Sequence, residues 1–322
     1  MSNALYSRNI GLDLVRVTEA SALAAGRWIG SGNFEAAHAA ATQAMHFMLR
    51  SLGVDGCIAI GEDRLIDGQA LLGEGIVFGA GSHVCDLAVD PIDGTRLLID
   101  GKPGAISVMG VAPRNSLWST SPADYLAKIV VDRDAAHVLV PECMDAPAAW
   151  TLALIARAKK KPVRDLVVVI LERVRHHDLI EEIRATGAHI LLREEGDAEG
   201  ALVAATPDNG VDVLMGIGGA TQGVLSACAV RSLDGGMLAQ LAPQSAEERA
   251  AVTQAGLDMH KVWTVDELVS SDDIIFAVTG ITDSTLLPGV SYHGNRAETH
   301  SLLIRAKTKT RRHIQAEHVI DI

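Results

Sequence analysis

The stretch Cys85-Asp86-Leu87-Ala88-Val89-Asp90-Pro91-Ile92-Asp93-Gly94-Thr95-Arg96 constrains this chain more than any other. An apolar, strand-like run ends in two carboxylates three residues apart, with Pro91 between them and Gly94-Thr95 behind. Two carboxylates on a rigid turn at a strand end can hold divalent cations, and a hydroxyl two residues later can position a water or a phosphate. Asp-Pro-x-Asp-Gly is also a good β-turn sequence. This stretch alone leaves both readings open, and the rest of the chain has to separate them.

A length of 322 residues suffices for two domains. Apolar residues make up 48% and charged residues 21%, the balance of a globular enzyme rather than a disordered chain. The net charge of -12, with no Lys/Arg-rich segment before the last few residues, argues against nucleic acid as a partner. Cys57, Cys85, Cys143 and Cys228 show no CxxC spacing and mostly sit in apolar runs, as reduced thiols of a cytoplasmic protein do. Neither a secretory signal nor an apolar run of about 18–20 residues is present, so a membrane partner is not expected.

Residues 12–29 and 34–52 read as helices, the second capped by Asn33 and closed by Gly53. Short strands follow at 57–60, 76–78 and 84–89, and residues 96–99 and 105–111 are expected to continue the sheet. This first half, 1–160, reads as an α+β metal and phosphate domain. Lys159-Lys160-Lys161-Pro162 marks the expected boundary. Beyond it, strands at 166–171, 189–192 and 211–217 alternate with helices at 177–186, 198–205 and from about 223, a parallel α/β pattern. Residues 161–322 are thus the expected substrate domain. Residues 243–272 read as helical and polar, 274–278 as a buried strand, and the tail 275–322 can pair with either domain.

Three groups of residues could carry chemistry. Glu62, Asp90 and Asp93 each follow a strand and supply the oxygen ligands that hard cations prefer. Gly216-Ile217-Gly218-Gly219-Ala220 is a glycine-rich strand-to-helix loop, suited to phosphate or to tight strand–helix packing; it is neither a Walker A loop nor GxGxxG. Arg173 and Arg175 follow the strand 166–171, where parallel sheets bind ligands, and Glu195-Gly196-Asp197 follows the next strand. These residues could hold an anion and sugar hydroxyls, or simply open helices.

Glu62 after a strand, followed by Asp90-Pro91-Ile92-Asp93-Gly94-Thr95, is similar to the metal signature of the lithium-sensitive sugar and inositol phosphatases. With Arg16-Val17-Thr18-Glu19-Ala20, Gly216 to Ala220, Thr279-Gly280-Ile281-Thr282, Leu302-Leu303-Ile304-Arg305 and Arg311-Arg312-His313-Ile314-Gln315, nearly the whole chain resembles the class II fructose-1,6-bisphosphatases. The resemblance implies a layered α-β-α-β-α sandwich. It implies hydrolysis of the 1-phosphate of fructose 1,6-bisphosphate with Mg²⁺ or Mn²⁺, in gluconeogenesis. It makes Glu62, Asp90 and Asp93 metal ligands, with Glu62, Asp93 and Thr95 catalytic and Thr95 orienting the attacking water. Asp93, Gly94 and Thr95 would touch the phosphate, and Tyr125, Arg173, Arg175, Glu195, Gly196, Asp197 and Gly219 would line the sugar site. A homo-oligomer is expected on general grounds.

Departures from the family pattern bear on activity. Asn33 and Gln222 stand at positions where the family carries metal-binding carboxylates, and Arg173 stands where it usually has Lys. An amide coordinates a cation without offsetting its charge, so the two losses weaken a hard-cation site by about tenfold or more. Glu35, Asp63 or Asp67 could compensate. The alternatives implied are a phosphatase for another sugar bisphosphate or inositol phosphate, or a catalytically weakened homologue that binds sugar phosphates.

Overall fold

The computed structural model describes residues 10–79, 81 and 83–320. Among them the chain falls into two compact units, one made of the described residues up to 117 together with those from 271 on, and the other of Trp118–Ser270. The fold is mixed α/β in both.

The first unit opens with α1 (Ile10–Gly26) and α2 (Phe34–Leu49). Helix α2 starts where it does because the Asn33 side chain accepts the Ala36 N–H at 3.1 Å, closing an orphan donor of the first turn. Strands β1 (Asp55–Ile60), β2 (Glu62–Ile66), β3 (Gln69–Leu72), β4 (Val77–Phe78) and β5 (Val84–Asp93) follow. A five-residue helix α3 (Thr95–Ile99) and β6 (Ile106–Pro113) complete this pass. Leu14, Val17, Met45 and Leu49 of the two helices pack on Ile58, Leu87, Val89 and Met109 of the strands in one buried cluster. Removing such side chains from water is what holds helices on a sheet.

The second unit runs through β7 (Tyr125–Val131), α4 (Ala148–Lys159), β8 (Val167–Leu171), α5 (His177–Ala185), β9 (His189–Arg193) and α6 (Asp197–Ala205). It continues with β10 (Val213–Gly219), α7 (Ala220–Ser232), β11 (Gly236–Leu241), α8 (Ala246–Gln254), β12 (Val262–Thr264) and α9 (Val265–Leu268). Its sheet has the order β12-β11-β7-β10-β8-β9. Strand β8 is parallel to β9 and β10, whereas β7 is antiparallel to β10 and β11. A separate core contains Ile129, Leu152, Ile155, Val168, Ile170, Ile183 and Val213.

The chain then returns to the first unit through β13 (Ile275–Gly280), β14 (Ser291–His293), β15 (Arg296–Arg305) and β16 (Thr310–Val319). The sheet there reads β14-β15-β13-β6-β5-β1-β4, with β16 on the free side of β15. Strand β13 lies between β6 and β15, so the tail joins the sheet that carries Asp90.

Several expectations differ from this architecture. The division falls at 117/118 and 270/271, not at 160, because β7 zips along both β10 and β11 and draws residues 118–160 into the second unit. Residues 96–99 are helical, because Gly94 takes a left-handed backbone (φ +91°) that ends the strand abruptly. Glu62 opens a hairpin, β2–β3, that turns at Asp67-Gly68. The second unit is not wholly parallel, and 243–272 is two short helices separated by a strand. Among the described residues no helix is long and apolar enough to cross a membrane.

Candidate active site

In the first unit Asp90, Asp93, Gly94 and Thr95 lie together at the end of β5. This strand is buried from Cys85 to Asp93, and its pairing with β6 slips between Asp90 and Asp93. The slip lets one strand carry two polar ends. Asp90 and Asp93 are only 3% and 5% exposed. Burying carboxylates is costly unless they meet donors or cations. One oxygen of Asp90 accepts the Ile92 N–H at 3.0 Å. The Thr95 hydroxyl donates to the Ile92 carbonyl at 3.2 Å, so its oxygen remains available as an acceptor.

Glu62 sits beside His38 of α2, with Nε2 2.7 Å from the carboxylate. His38 is buried and stacks on Phe34, and the Arg64 guanidinium lies 4.5 Å from the centre of the same Phe34 ring. Arg64 also pairs with Glu35. Asn33 is exposed and committed to capping α2, and Asp67 occupies the hairpin turn.

Asp90 and Asp93 offer the buried carboxylate oxygens that a hard cation takes. No group of three or more His, Cys, Asp or Glu side chains gathers around a common point among the described residues. Glu62 meets His38 through Oε2 alone, so its second oxygen can face a cation without breaking that contact. The fit is therefore to the Asp90–Asp93 pair.

In the second unit the predicted residues converge on the end of β10. Tyr125 opens β7 directly opposite Gly219, the last residue of β10. The buried Glu248 accepts the Asp124 and Tyr125 N–H groups at 2.8 and 2.9 Å and the Gln244 N–H at 2.7 Å, fixing the strand start. The Arg175 guanidinium lies 5.1 Å from the centre of the Tyr125 ring and donates twice to the Ile217 carbonyl, at 3.3 and 3.0 Å. Burial lowers the pKa of Arg175 from its ordinary value, without depriving it of charge near neutrality.

Asp197 begins α6 after Gly196, whose left-handed backbone (φ +85°) makes the turn from β9. Its carboxylate pairs with the ammonium of Lys128, which is 1% exposed. A side chain at Gly218 would meet both groups, so the glycine is what lets them approach. Arg173 donates to the Glu172 carbonyl at 2.9 Å and Gln222 accepts from the Thr221 hydroxyl at 2.9 Å. Arg175, Gly219, Tyr125 and Asp197 thus share one loop region; the charge of Arg173 is felt at Arg175, and the Gln222 side chain lies against Gly219.

His38, Lys128 and Glu248 were not singled out in the sequence. Lys128 carried a signal, a lone lysine inside the apolar run Tyr125–Val131 that demands a buried anion. His38 and Glu248 carried none, because their partners lie far away in the chain.

A family model described as "Bacterial fructose-1,6-bisphosphatase, glpX-encoded" matches residues 8–318. Fructose-1,6-bisphosphatase 1 class 2 of Escherichia coli strain K12 is 36% identical over 328 residues, covering 98% of this chain and 96% of the relative. The class 2 enzymes of Escherichia coli strain CFT073 and of Shigella flexneri match with the same identity and coverage. The match spans both units, including the β5 carboxylates and the β10 loop, and the chain therefore belongs to the glpX-encoded, class 2 bacterial fructose-1,6-bisphosphatases.

Proposed function

We propose that this protein hydrolyses the 1-phosphate of fructose 1,6-bisphosphate, as a phosphoric monoester hydrolase of sugar metabolism. The observation that carries the reading is the pair of buried carboxylates, Asp90 and Asp93, at the end of β5 with Thr95 one turn on. A divalent cation, Mg²⁺ or Mn²⁺, would be held by Asp90 and Asp93, with Glu62 joining through the oxygen that does not meet His38. When bound, it supplies positive charge to the transferring phosphoryl group and acidifies a water. Thr95 orients the attacking water: its own proton goes to the Ile92 carbonyl, so its oxygen accepts one from the water. Water attacks phosphorus in line and the bond from phosphorus to the sugar oxygen breaks; the water's proton, taken up by Asp93, ends on the departing sugar oxygen, which leaves as the hydroxyl. Glu62, held by His38 through one oxygen, supports the same charge balance with the other.

Tyr125, Arg175, Gly219 and Asp197 hold the sugar phosphate on this reading, Arg175 as the anion-binding cation and Asp197 as acceptor from hydroxyls. Arg173, Glu195, Gly196 and Gly94 are proposed contacts on the resemblance alone. The protein works in the cytoplasm as a homo-oligomer, in keeping with four free cysteines and the base rate for such enzymes.

Phosphate release from fructose 1,6-bisphosphate across a Mg²⁺ and Mn²⁺ titration tests the reading. Turnover that saturates with the ion, is abolished by EDTA and falls by about a hundredfold or more in Asp90→Asn supports it. A flat response with either ion in folded protein overturns it. A second reading, a weakened homologue that binds sugar phosphates, is favoured by the Asn33 amide, which is engaged as a helix cap. A large gain in turnover in Asn33→Asp with Gln222→Glu would select it.

A further inference from the structure

His176 belongs to neither the metal chemistry nor the sugar contacts, yet it is almost completely buried (1% exposed) in the turn between β8 and α5. Its Nδ1 lies 2.6 Å from the Leu171 carbonyl. Only a donor suits that contact, so Nδ1 carries the proton. Its Nε2 accepts the Ile217 N–H at 2.7 Å. Only a lone pair suits that one. Two independent contacts thus fix one neutral tautomer. The adjoining Arg175 donates to the Ile217 carbonyl. Both backbone polar groups of Ile217 are therefore held by consecutive side chains, 175 and 176. Gly216 fits against this arrangement: its φ is +134°, and a Cβ there would stand 3.0 Å from Nε2.

We propose that His176 is a positioning residue for the sugar-phosphate site, clamping the backbone at Ile217 so that the Gly216–Gly219 loop and Arg175 are preorganised for an anionic sugar. Leu171 ends β8, His176 opens the way to α5, and Ile217 lies in β10, so the clamp ties two neighbouring parallel strands at the end where such sheets bind ligands. Preorganisation acts on binding, since ordering the loop is then not charged against the ligand. The inference rests on the sugar-phosphatase reading for the identity of the ligand, not for the clamp itself.

Two variants separate the contacts. His176→Gln places an amide oxygen near the Nε2 position and keeps an acceptor for Ile217. His176→Asn places an amide nitrogen near Nδ1 and keeps only the bond to Leu171. The Asn variant is expected to raise KM for fructose 1,6-bisphosphate about tenfold while kcat changes less than about threefold, with Gln close to wild type. Faster amide exchange at residues 216–219 in Asn but not in Gln should accompany this. Acid gives a third readout. The charged groups facing His176 are Arg173 and Arg175 of the same turn and Asp197 of α6, itself paired with Lys128 of β7. Protonation would set an N–H at Nε2 against the Ile217 N–H, so the wild-type KM should climb at acid pH and the Gln variant's should not.

Equal behaviour of Asn and Gln, or loosened exchange with unchanged KM, overturns the proposal. Should the wild type show no turnover, that defeats the hydrolase reading. The clamp is then read from exchange and from the calorimetric Kd for fructose 1,6-bisphosphate, where the same ordering supports it, and equal or absent binding overturns it.

Discussion

Gly216 shows how much one residue can decide. Its φ of +134° is open to glycine and strained for any residue with a Cβ, and the space a Cβ would need is taken by His176. Gly216→Ala should therefore destabilise the protein by about 1–3 kcal/mol, seen as a lower urea midpoint with an unchanged slope. A variant as stable as wild type would show that the loop relaxes freely. The glycine run 216–219 was legible as a place of close approach, but what approaches was not. The partners of Gly216 and Gly218 are His176, Lys128 and Asp197, which a chain of letters does not bring together. For the same reason the engagement of Glu62 by His38 was hidden, whereas Asn33 as a helix cap was readable, since a cap bonds only three residues away.

At the scale of elements, the buried ion pair between β7 and α6 sets the largest local stake. Lys128 reaches across from the middle of β7 to Asp197 at the start of α6, in a part of the sheet where Lys128 lies opposite Gly216. Breaking such a pair from one side leaves a buried charge without its partner. Lys128→Met should cost about 3–5 kcal/mol in chemical denaturation, and adding Asp197→Asn should recover a large part of it. If the double variant were no better than the single one, the loss would come from packing around the lysine stem. Element type was most legible where apolar period and turn chemistry agreed, as in α2, β5 and β8. It failed at α3, whose Arg96-Leu97-Leu98-Ile99 has the composition of a strand; the left-handed Gly94 decides for a helix. The run at 159–161 is where the sequence places a domain boundary. Lys159 in fact bonds Asp132 at 2.6 Å and Asp212 at 3.2 Å, and Lys161 bonds Asp212 at 2.7 Å, so the run is stitched into its unit.

For the whole molecule, the chain order explains both the success of the α/β assignment and the misplaced boundary. One unit is built from the two ends of the chain, and the other is a continuous insertion between β6 and β13. Sequence patterns report neighbours along the chain, and the antiparallel pairing of β7 with β10 joins residues some ninety positions apart. An inserted unit has a physical requirement: its two ends must meet. They do, since the Trp118 N–H donates to the Leu268 carbonyl at 2.9 Å and the Trp118 and Trp263 rings lie 5.1 Å apart. The unit also has its own buried core, from Ile129 to Leu238. About 150 residues can bury roughly two thirds of their surface, enough for independent stability. Residues 118–270 produced alone should thus give a single cooperative urea transition and dispersed amide resonances. A molten or aggregated fragment would mean that the insertion depends on the rest of the chain to fold. A folded fragment would also allow its affinity for fructose 1,6-bisphosphate to be measured apart from the β5 carboxylates, separating what Arg175, Tyr125 and Asp197 bind from what Asp90 and Asp93 do.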